Sequence, residues 1–331
     1  MKKHSFFEKI IHKIYLNNFF ISKASLEFEK EIFSKKINSF DLDQIIFVTG
    51  LARSGSTSIL RKIHSTNQYA SLQYNNMPFL FLPNFWNNKH SNESTERAHN
   101  DGIMVNNNSP EEFDEYFWKV YLNNSYIKNK CLIEHDLSQD IITDYIKYAK
   151  LIAISKSSKK YITKNNNNVL RLNSLLDIKN SFFLVLVRNP LDHASSLLKL
   201  HRKFTELHKK DSFSLQYFDF LGHHEFGLNH KPFIFSDTDL GDYNKDSIDY
   251  WIKIWINYYS FILRNYKTNF EILIFEDLIN SNKPYDRLNQ ILNVNIQLTK
   301  FQPPLYNQKV SQELYNESIL IYNDLKKQIK Y

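Results

Sequence analysis

The chain has 331 residues, of which 42% are hydrophobic and 15% aromatic, and it carries a net charge of +7. This is a globular composition with enough apolar mass for one large α/β domain or two small ones. No run of about 18 apolar residues occurs, so no transmembrane helix is expected. The lysines are scattered rather than gathered in blocks, so the positive charge reads as compositional and no nucleic-acid partner is expected. Cys131 stands alone, and the start (Met1-Lys2-Lys3-His4, then Glu8, Lys9, His12 and Lys13) lacks the apolar core of a signal peptide. Both fit a reducing, cytoplasmic setting.

Residues 1–43 read as an amphipathic helical arm. Phe6, Phe7, Ile10, Ile11, Ile14 and Tyr15 form an apolar face, which Leu26, Phe28, Ile32 and Phe33 continue. Such a face suits a membrane surface or packing on the core, and packing is the commoner outcome. The domain proper is expected over 44–331. It opens with a buried strand, Ile45 to Val48. A turn with two of the six glycines follows, Gly50 and Gly55, and then a helix with Ile59, Leu60 and Ile63 at helical spacing. Strand, glycine turn, helix presents free N–H groups and a helix dipole to a phosphate.

Residues 69–108 are irregular, broken by Pro78, Pro83 and many Asn, and read as a loop insertion. Ser109-Pro110-Glu111-Glu112 has the spelling of a helix start, followed by an apolar face of Phe113, Tyr116, Phe117 and Val120. A helix is predicted over 138–155, a short strand at 161–163 ending on Lys164, and a helix over 169–178. Ser181 to Val187 is a second buried strand. It stops at Arg188-Asn189-Pro190, and a helix follows to Phe204. Residues 205–245 read as a second insertion or lid. An aromatic core helix over 246–265, a strand over 271–275 and a last helix over 311–329 complete the chain. Alternating strands and helices predict an α/β fold, a three-layer sandwich like that of P-loop NTPases with a central parallel sheet. Ligands then sit at the carboxyl ends of the strands.

Two strand ends carry the candidate chemistry. The first has the G-x-x-x-x-G spacing of a Walker loop, but Ser56 stands where a triphosphate-binding loop needs lysine, and the cation has moved to Arg53. The second has Arg188, with Ser196 eight residues on. Together they resemble the PAPS-dependent sulfotransferases, above all the bacterial members. The family's 5′-phosphosulfate loop, [KR]-S-G-[ST]-[ST], is matched by Arg53-Ser54-Gly55-Ser56-Thr57, with Ser58 extending it. Its 3′-phosphate pair, an arginine ending a strand and a serine eight residues later, is matched by Arg188 and Ser196. Phe275-Glu276-Asp277-Leu278 is similar to its "YEDL" strand end. The resemblance spans about residues 44–295, patchily. It implies PAPS as sulfuryl donor, an acceptor hydroxyl or amine on a glycan or small molecule, and no metal.

The resemblance has one departure. Cytosolic members carry a K-T-H element 24 residues before the 3′-phosphate arginine, and here that element reads Lys164-Asn165-Asn166. Lys164 keeps the lysine's place, while Asn166 stands where the family has its catalytic histidine. Other branches use a carboxylate soon after the first helix, and the stretch 71–76 has none. The base is therefore sought in the titratable cluster 96–101. An unperturbed histidine changes charge near neutrality, so His99 could accept a hydroxyl proton, and Asp101 or Glu96 could do so if desolvated. The alternative is a solvated loop with ordinary ion pairs around Arg97. Glu134 and His135 are weaker candidates, and His223-His224-Glu225 reads as a surface group of the lid. Two other functions fit less well: a P-loop kinase or NTPase, and a degenerate sulfotransferase-fold binder without catalysis.

Overall fold

The architecture comes from a computed structural model, which describes residues 6–86, 94–96, 104–236, 240–241, 244–299 and 308–331. The chain begins with helices α1 (Phe6–Leu16), α2 (Phe19–Ile32) and α3 (Ser34–Ser39), then strand β1 (Gln44–Thr49) and α4 (Ser56–His64). Next come the short strands β2 (Thr95–Glu96) and β3 (Met104–Val105), α5 (Glu115–Tyr121), β4 (Leu132–Ile133) and α6 (Gln139–Ser155). β5 (Lys160–Lys164), α7 (Leu172–Leu176), β6 (Ser181–Val187), α8 (Pro190–Lys210), α9 (Ser212–Phe220) and β7 (Phe233–Ile234) follow. The chain closes with α10 (Ile248–Arg264), β8 (Phe270–Ile274), α11 (Phe275–Asn280), α12 (Lys283–Leu292) and α13 (Gln312–Lys326).

The apolar strands form one parallel sheet in the order β5-β1-β6-β8. Alternation along each strand builds two cores. Ile46, Val48, Ile162, Leu184, Leu186 and Leu273 face α4 and α12. Phe47, Tyr161, Phe183, Val185 and Ile272 face the opposite side, covered by α6, α8, α10 and α13. Both faces are thus dry, which is why these strands read as unbroken apolar runs. The expected three-layer sandwich is the observed fold. The order also puts β1 between β5 and β6, so that at its carboxyl end Val48 pairs with Lys164 of β5 and Thr49 with Val185 of β6.

Several local expectations change. The helix predicted from Ser109 starts at Glu115 instead. Ser109 Oγ accepts from Asn106 N at 3.0 Å, tying off a turn rather than capping a helix. Residues 169–178 form a 3-10 turn (Asn166–Arg171) followed by α7. The stretch 205–245 is more regular than its composition implied. α8 runs on to Lys210 and α9 follows, because His201, Phe204 and His208 share a buried stripe. Burial lowers both His201 and His208, so these rings pack as neutral aromatics.

The arm departs most. α1 packs through His12, Tyr15 and Leu16, whereas Phe7, Ile10, Ile11 and Ile14 point to solvent. Of the expected stripe, Tyr15 and Leu26 face the core, while Phe7, Ile10, Ile11, Ile14, Phe28 and Ile32 face outward.

Candidate active site

The turn after β1 owes its shape to its glycines. Gly50 has φ 144°, and a Cβ there would lie 2.6 Å from the carbonyl oxygen of Leu186 in β6. Gly55, with φ 96°, is the N-cap of α4, and a Cβ there would stand 2.9 Å from the Phe275 ring. Arg53 also has positive φ, 74°. The backbone thereby coils tightly into the N-terminus of α4, which has no acidic residue in its first turn and buries Ser56 and Thr57. That is a cradle for an anion.

The second strand end closes on this turn. Arg53 Nε donates to Ser196 Oγ at 3.2 Å, and Arg188 Nη1 donates to the Arg53 carbonyl at 3.3 Å. The Arg188 guanidinium lies 4.6 Å from the centre of the Phe275 ring, a cation–π contact. His193, one turn before Ser196, donates from Nε2 to the Ala52 carbonyl at 2.8 Å. Burial, with Arg188 and Arg53 nearby, lowers His193 to about 3, so it is a neutral anchor for the turn. Asn189 caps α8, and its own N–H donates to Glu276 Oε1 at 3.0 Å. The motif residues Arg53, Arg188, Ser196, Phe275 and Glu276 thus meet at one place.

On the other flank of β1 lies a buried polar cluster. Thr49 Oγ1 donates to the Asn165 carbonyl at 3.1 Å, and Tyr258 Oη donates to the Asn166 carbonyl at 3.0 Å. This joins the end of β5 to the turn. Lys164 Nζ donates to Glu112, whose side chain and its partner's are 4% and 7% exposed. Asn166 N donates to Glu112 Oε1 at 2.5 Å, and Asn166 Nδ2 donates to Glu112 Oε2 and to Glu225 Oε1, each at 3.0 Å. His223 Nδ1 stands 3.6 Å from Glu225 Oε1. Glu112 therefore belongs to the candidate site, although its local sequence spells only a helix start. His223 and Glu225, read as surface groups, are 13% and 11% exposed and sit against it.

Each charge in the cluster has a physical cause. Burial pushes Glu112 up to about 7, against the pull of Lys164. Burial would also raise Glu225, but His223 outweighs it and holds that carboxylate well below the usual range. Burial would lower His223, and Glu225 reverses this and raises it. The ligand atoms of Glu112, His223 and Glu225 lie within 4.8 Å of one another, a spacing a cation could use. At Glu112, however, the positive charge is supplied by the Lys164 ammonium. A small cavity is lined by Leu51 and Ala52 of the turn, by Leu197, Phe233 and Trp251, and by Glu225.

His99 and Asp101 lie outside the described residues, as do Arg97 and the side chain of Glu96. His135 belongs to a network behind the site. Its Nε2 accepts from Arg171 Nε at 3.3 Å, and burial beside Arg171 lowers it to about 4. Arg171 in turn pairs with Glu115 at 2.9 and 3.0 Å, and Glu115 holds Asn165 Nδ2 at 2.7 Å. Burial alone would raise Glu115, but Arg171 overrides it and keeps the carboxylate ionised.

No family model matches the chain, and no curated protein is similar to it. Solved sulfotransferases do resemble it in structure. The sulfotransferase STF1 from Mycobacterium tuberculosis is 10% identical, with 96% of this chain and 85% of that one covered at a TM-score of 0.48. STF9 from Mycobacterium avium is also 10% identical, with 96% and 76% covered at 0.49. A sulfotransferase from Alicyclobacillus acidocaldarius is 13% identical, with 86% and 94% covered at 0.39.

Proposed function

We propose that the chain is a PAPS-dependent sulfotransferase that moves a sulfuryl group to a hydroxyl or amine of a glycan or small molecule. The observation that carries this reading is the meeting of the Arg53–Thr57 turn with Arg188 and Ser196 across two neighbouring strand ends. A bisphosphate nucleotide needs two anion sites, and on this reading the turn and the second strand end supply them. The turn, with the first N–H groups of α4, holds the 5′-phosphosulfate through Arg53, Ser54, Gly55, Ser56, Thr57 and Ser58. Arg188 and Ser196 hold the 3′-phosphate.

PAPS supplies an activated sulfuryl group on its 5′-phosphate. The residues do the rest. Arg53, the α4 N-terminus and Lys164 stabilise the charge that builds on the leaving phosphate oxygen. The acceptor enters from the β5 flank, and Glu112 takes its proton. As the acceptor oxygen or nitrogen bonds to sulfur, the bridging sulfur–oxygen bond breaks and its electron pair stays on the phosphate. Glu112 suits this role because a carboxylate near 7 keeps enough basicity at neutral pH. His99 and Asp101 remain proposals for the acceptor side.

Calorimetric titration with adenosine 3′,5′-bisphosphate tests the nucleotide site, and transfer of radiolabelled sulfur from PAPS to a panel of acceptors tests the chemistry. Failure to bind the bisphosphate would sink the reading. A second reading, a nucleotide binder without turnover, is favoured by Asn166 at the histidine position. Binding without transfer to any acceptor would select it.

A further inference from the structure

We infer that the outward face of α1 and α2 docks on an anionic membrane surface. In a water-soluble fold the apolar stripe of an amphipathic helix faces the core. In α1 it faces out: Phe7, Ile10, Ile11 and Ile14, spaced i, i+3, i+4 and i+7, are 75, 38, 44 and 58% exposed. On α2, Phe20 is 83% exposed, and Phe28 and Ile32 are 54 and 57% exposed. Phe85 extends the patch, with its ring 5.5 Å from that of Phe28. Most of the large apolar side chains left exposed among the described residues are here, whereas single exposed ones are ordinary.

The helices cannot simply roll the stripe inward. Tyr116 Oη, itself buried, donates to the Leu16 carbonyl at 3.2 Å and meets Ser22 Oγ at 2.6 Å. Tyr15 Oη meets Ser25 Oγ at 2.5 Å, and the His12 ring lies 5.7 Å from that of Tyr217. The polar side of α1 is locked into the protein, so the apolar side stays available.

Charge selects the occupant. Lys13, Lys23, Lys35 and Lys36 are exposed on α1 to α3. Of the acids there, Glu27 is engaged by Lys30 at 2.8 Å and by Tyr121 Oη at 3.1 Å, and Glu8 and Glu31 are exposed. A second copy would bring lysines against lysines, whereas an anionic headgroup layer attracts them while its acyl boundary takes the rings. No described helix is long and apolar enough to cross a membrane, so the mode is lying on the surface.

The test is flotation of the full chain with vesicles of phosphatidylcholine alone and with an equal mixture of phosphatidylcholine and phosphatidylglycerol. The chain should float with the mixed vesicles and release as salt rises. Ile10→Ser/Ile14→Ser/Phe20→Ser should cut the bound fraction roughly tenfold or more while leaving the thermal midpoint no lower. Lys13→Glu/Lys23→Glu should weaken binding to the mixed vesicles only. Binding to neither vesicle, or equally to both, overturns the inference. So does a dimer in sedimentation velocity that the serine variant turns into a monomer, since the face would then join two copies.

Discussion

Replacing Arg188 by methionine removes the guanidinium and keeps most of the stem. Arg188 is 5% exposed, so its charge acts in a poorly screened place. A charge-assisted hydrogen bond contributes about 1.5–3 kcal/mol, and an arginine–phosphate contact is often two-pronged. Losing it should cost the bisphosphate about 2–4 kcal/mol, or roughly 30- to 1,000-fold in Kd. Adenosine 5′-monophosphate has no 3′-phosphate and should feel only the loosened turn, chiefly through the lost bond to the Arg53 carbonyl and the lost contact with Phe275. That bond is long, 3.3 Å, and amounts to about 1 kcal/mol at most. Arg188→Lys should fall between, since an ammonium keeps the charge but neither the fork nor the flat contact with Phe275. Calorimetric titration of both nucleotides into parent and variants reads the difference, with a thermal melt as the folding control. Equal losses for the two nucleotides, or an unchanged bisphosphate Kd, would show that Arg188 does not read the 3′-phosphate.

Other outcomes follow from the same geometry. Gly50→Ala combines a left-handed φ with a Cβ 2.6 Å from the Leu186 carbonyl, so the thermal midpoint should fall by several degrees and bisphosphate binding should weaken; an unchanged melt refutes the close approach. Glu112→Gln should lower turnover roughly 10²- to 10⁴-fold with little change in bisphosphate binding, and the parent's activity should rise with pH through about 7 as the carboxyl ionises. Because the amide takes from Lys164 the carboxylate it pairs with and leaves only Glu225 nearby, a loss of stability is expected with it, which Lys164→Met in the same chain should relieve without restoring turnover. A Glu112→Gln variant that keeps the same rising pH limb removes Glu112 from the chemistry. Burial also pushes Glu29 up to about 7. With its folded value above the ordinary one, the stability it contributes is fully present below pH about 4.5 and is lost as pH rises through about 7. Glu29→Gln should therefore gain on the parent by up to about 3 kcal/mol between pH 5 and pH 8 in denaturant melts; a constant gap would contradict it.

What the sequence made legible was what it spells locally. Ile45 to Val48 and Ser181 to Val187 announce buried strands because both faces are apolar, and the glycine turn announces itself because only glycine meets its backbone demands. Arg188 and Ser196 were legible through their order and spacing. The cluster around Glu112 was not. Whether a carboxylate lies inside depends on donors far along the chain, here Lys164 and Asn166, 52 and 54 residues away. Ser-Pro-Glu-Glu also has the spelling of an exposed helix start, and the competing turn at Asn106 is visible only in three dimensions. His223 and Glu225 looked like lid residues because nothing local says that α9 turns them back toward β5. The outward stripe of α1 misled for a related reason. Periodicity shows that a helix has two faces but not which one the fold takes, and the buried tyrosine hydroxyls that decide it come from α1 and α5.

Asn166 ties the departure from the family pattern to its remedy. A neutral histidine at this position has one N–H to give and would itself be the base. An asparagine amide has two donors on one nitrogen and no basicity. Both neighbours of Nδ2 here are carboxylates, which accept and do not donate when ionised, so the amide must present its nitrogen to them. With its backbone N–H also on Glu112, Asn166 holds one carboxylate from two directions and tethers it to a second. Two carboxylates held this close resist ionising together, which adds to burial in keeping Glu112 near 7, while His223 keeps Glu225 charged. On the proposed sulfotransferase reading, the proton acceptor is the carboxylate that Asn166 positions rather than a ring at position 166. On that reading Asn166 and the buried Glu112 work as one unit, since the amide that cannot serve as a base holds the carboxylate that can.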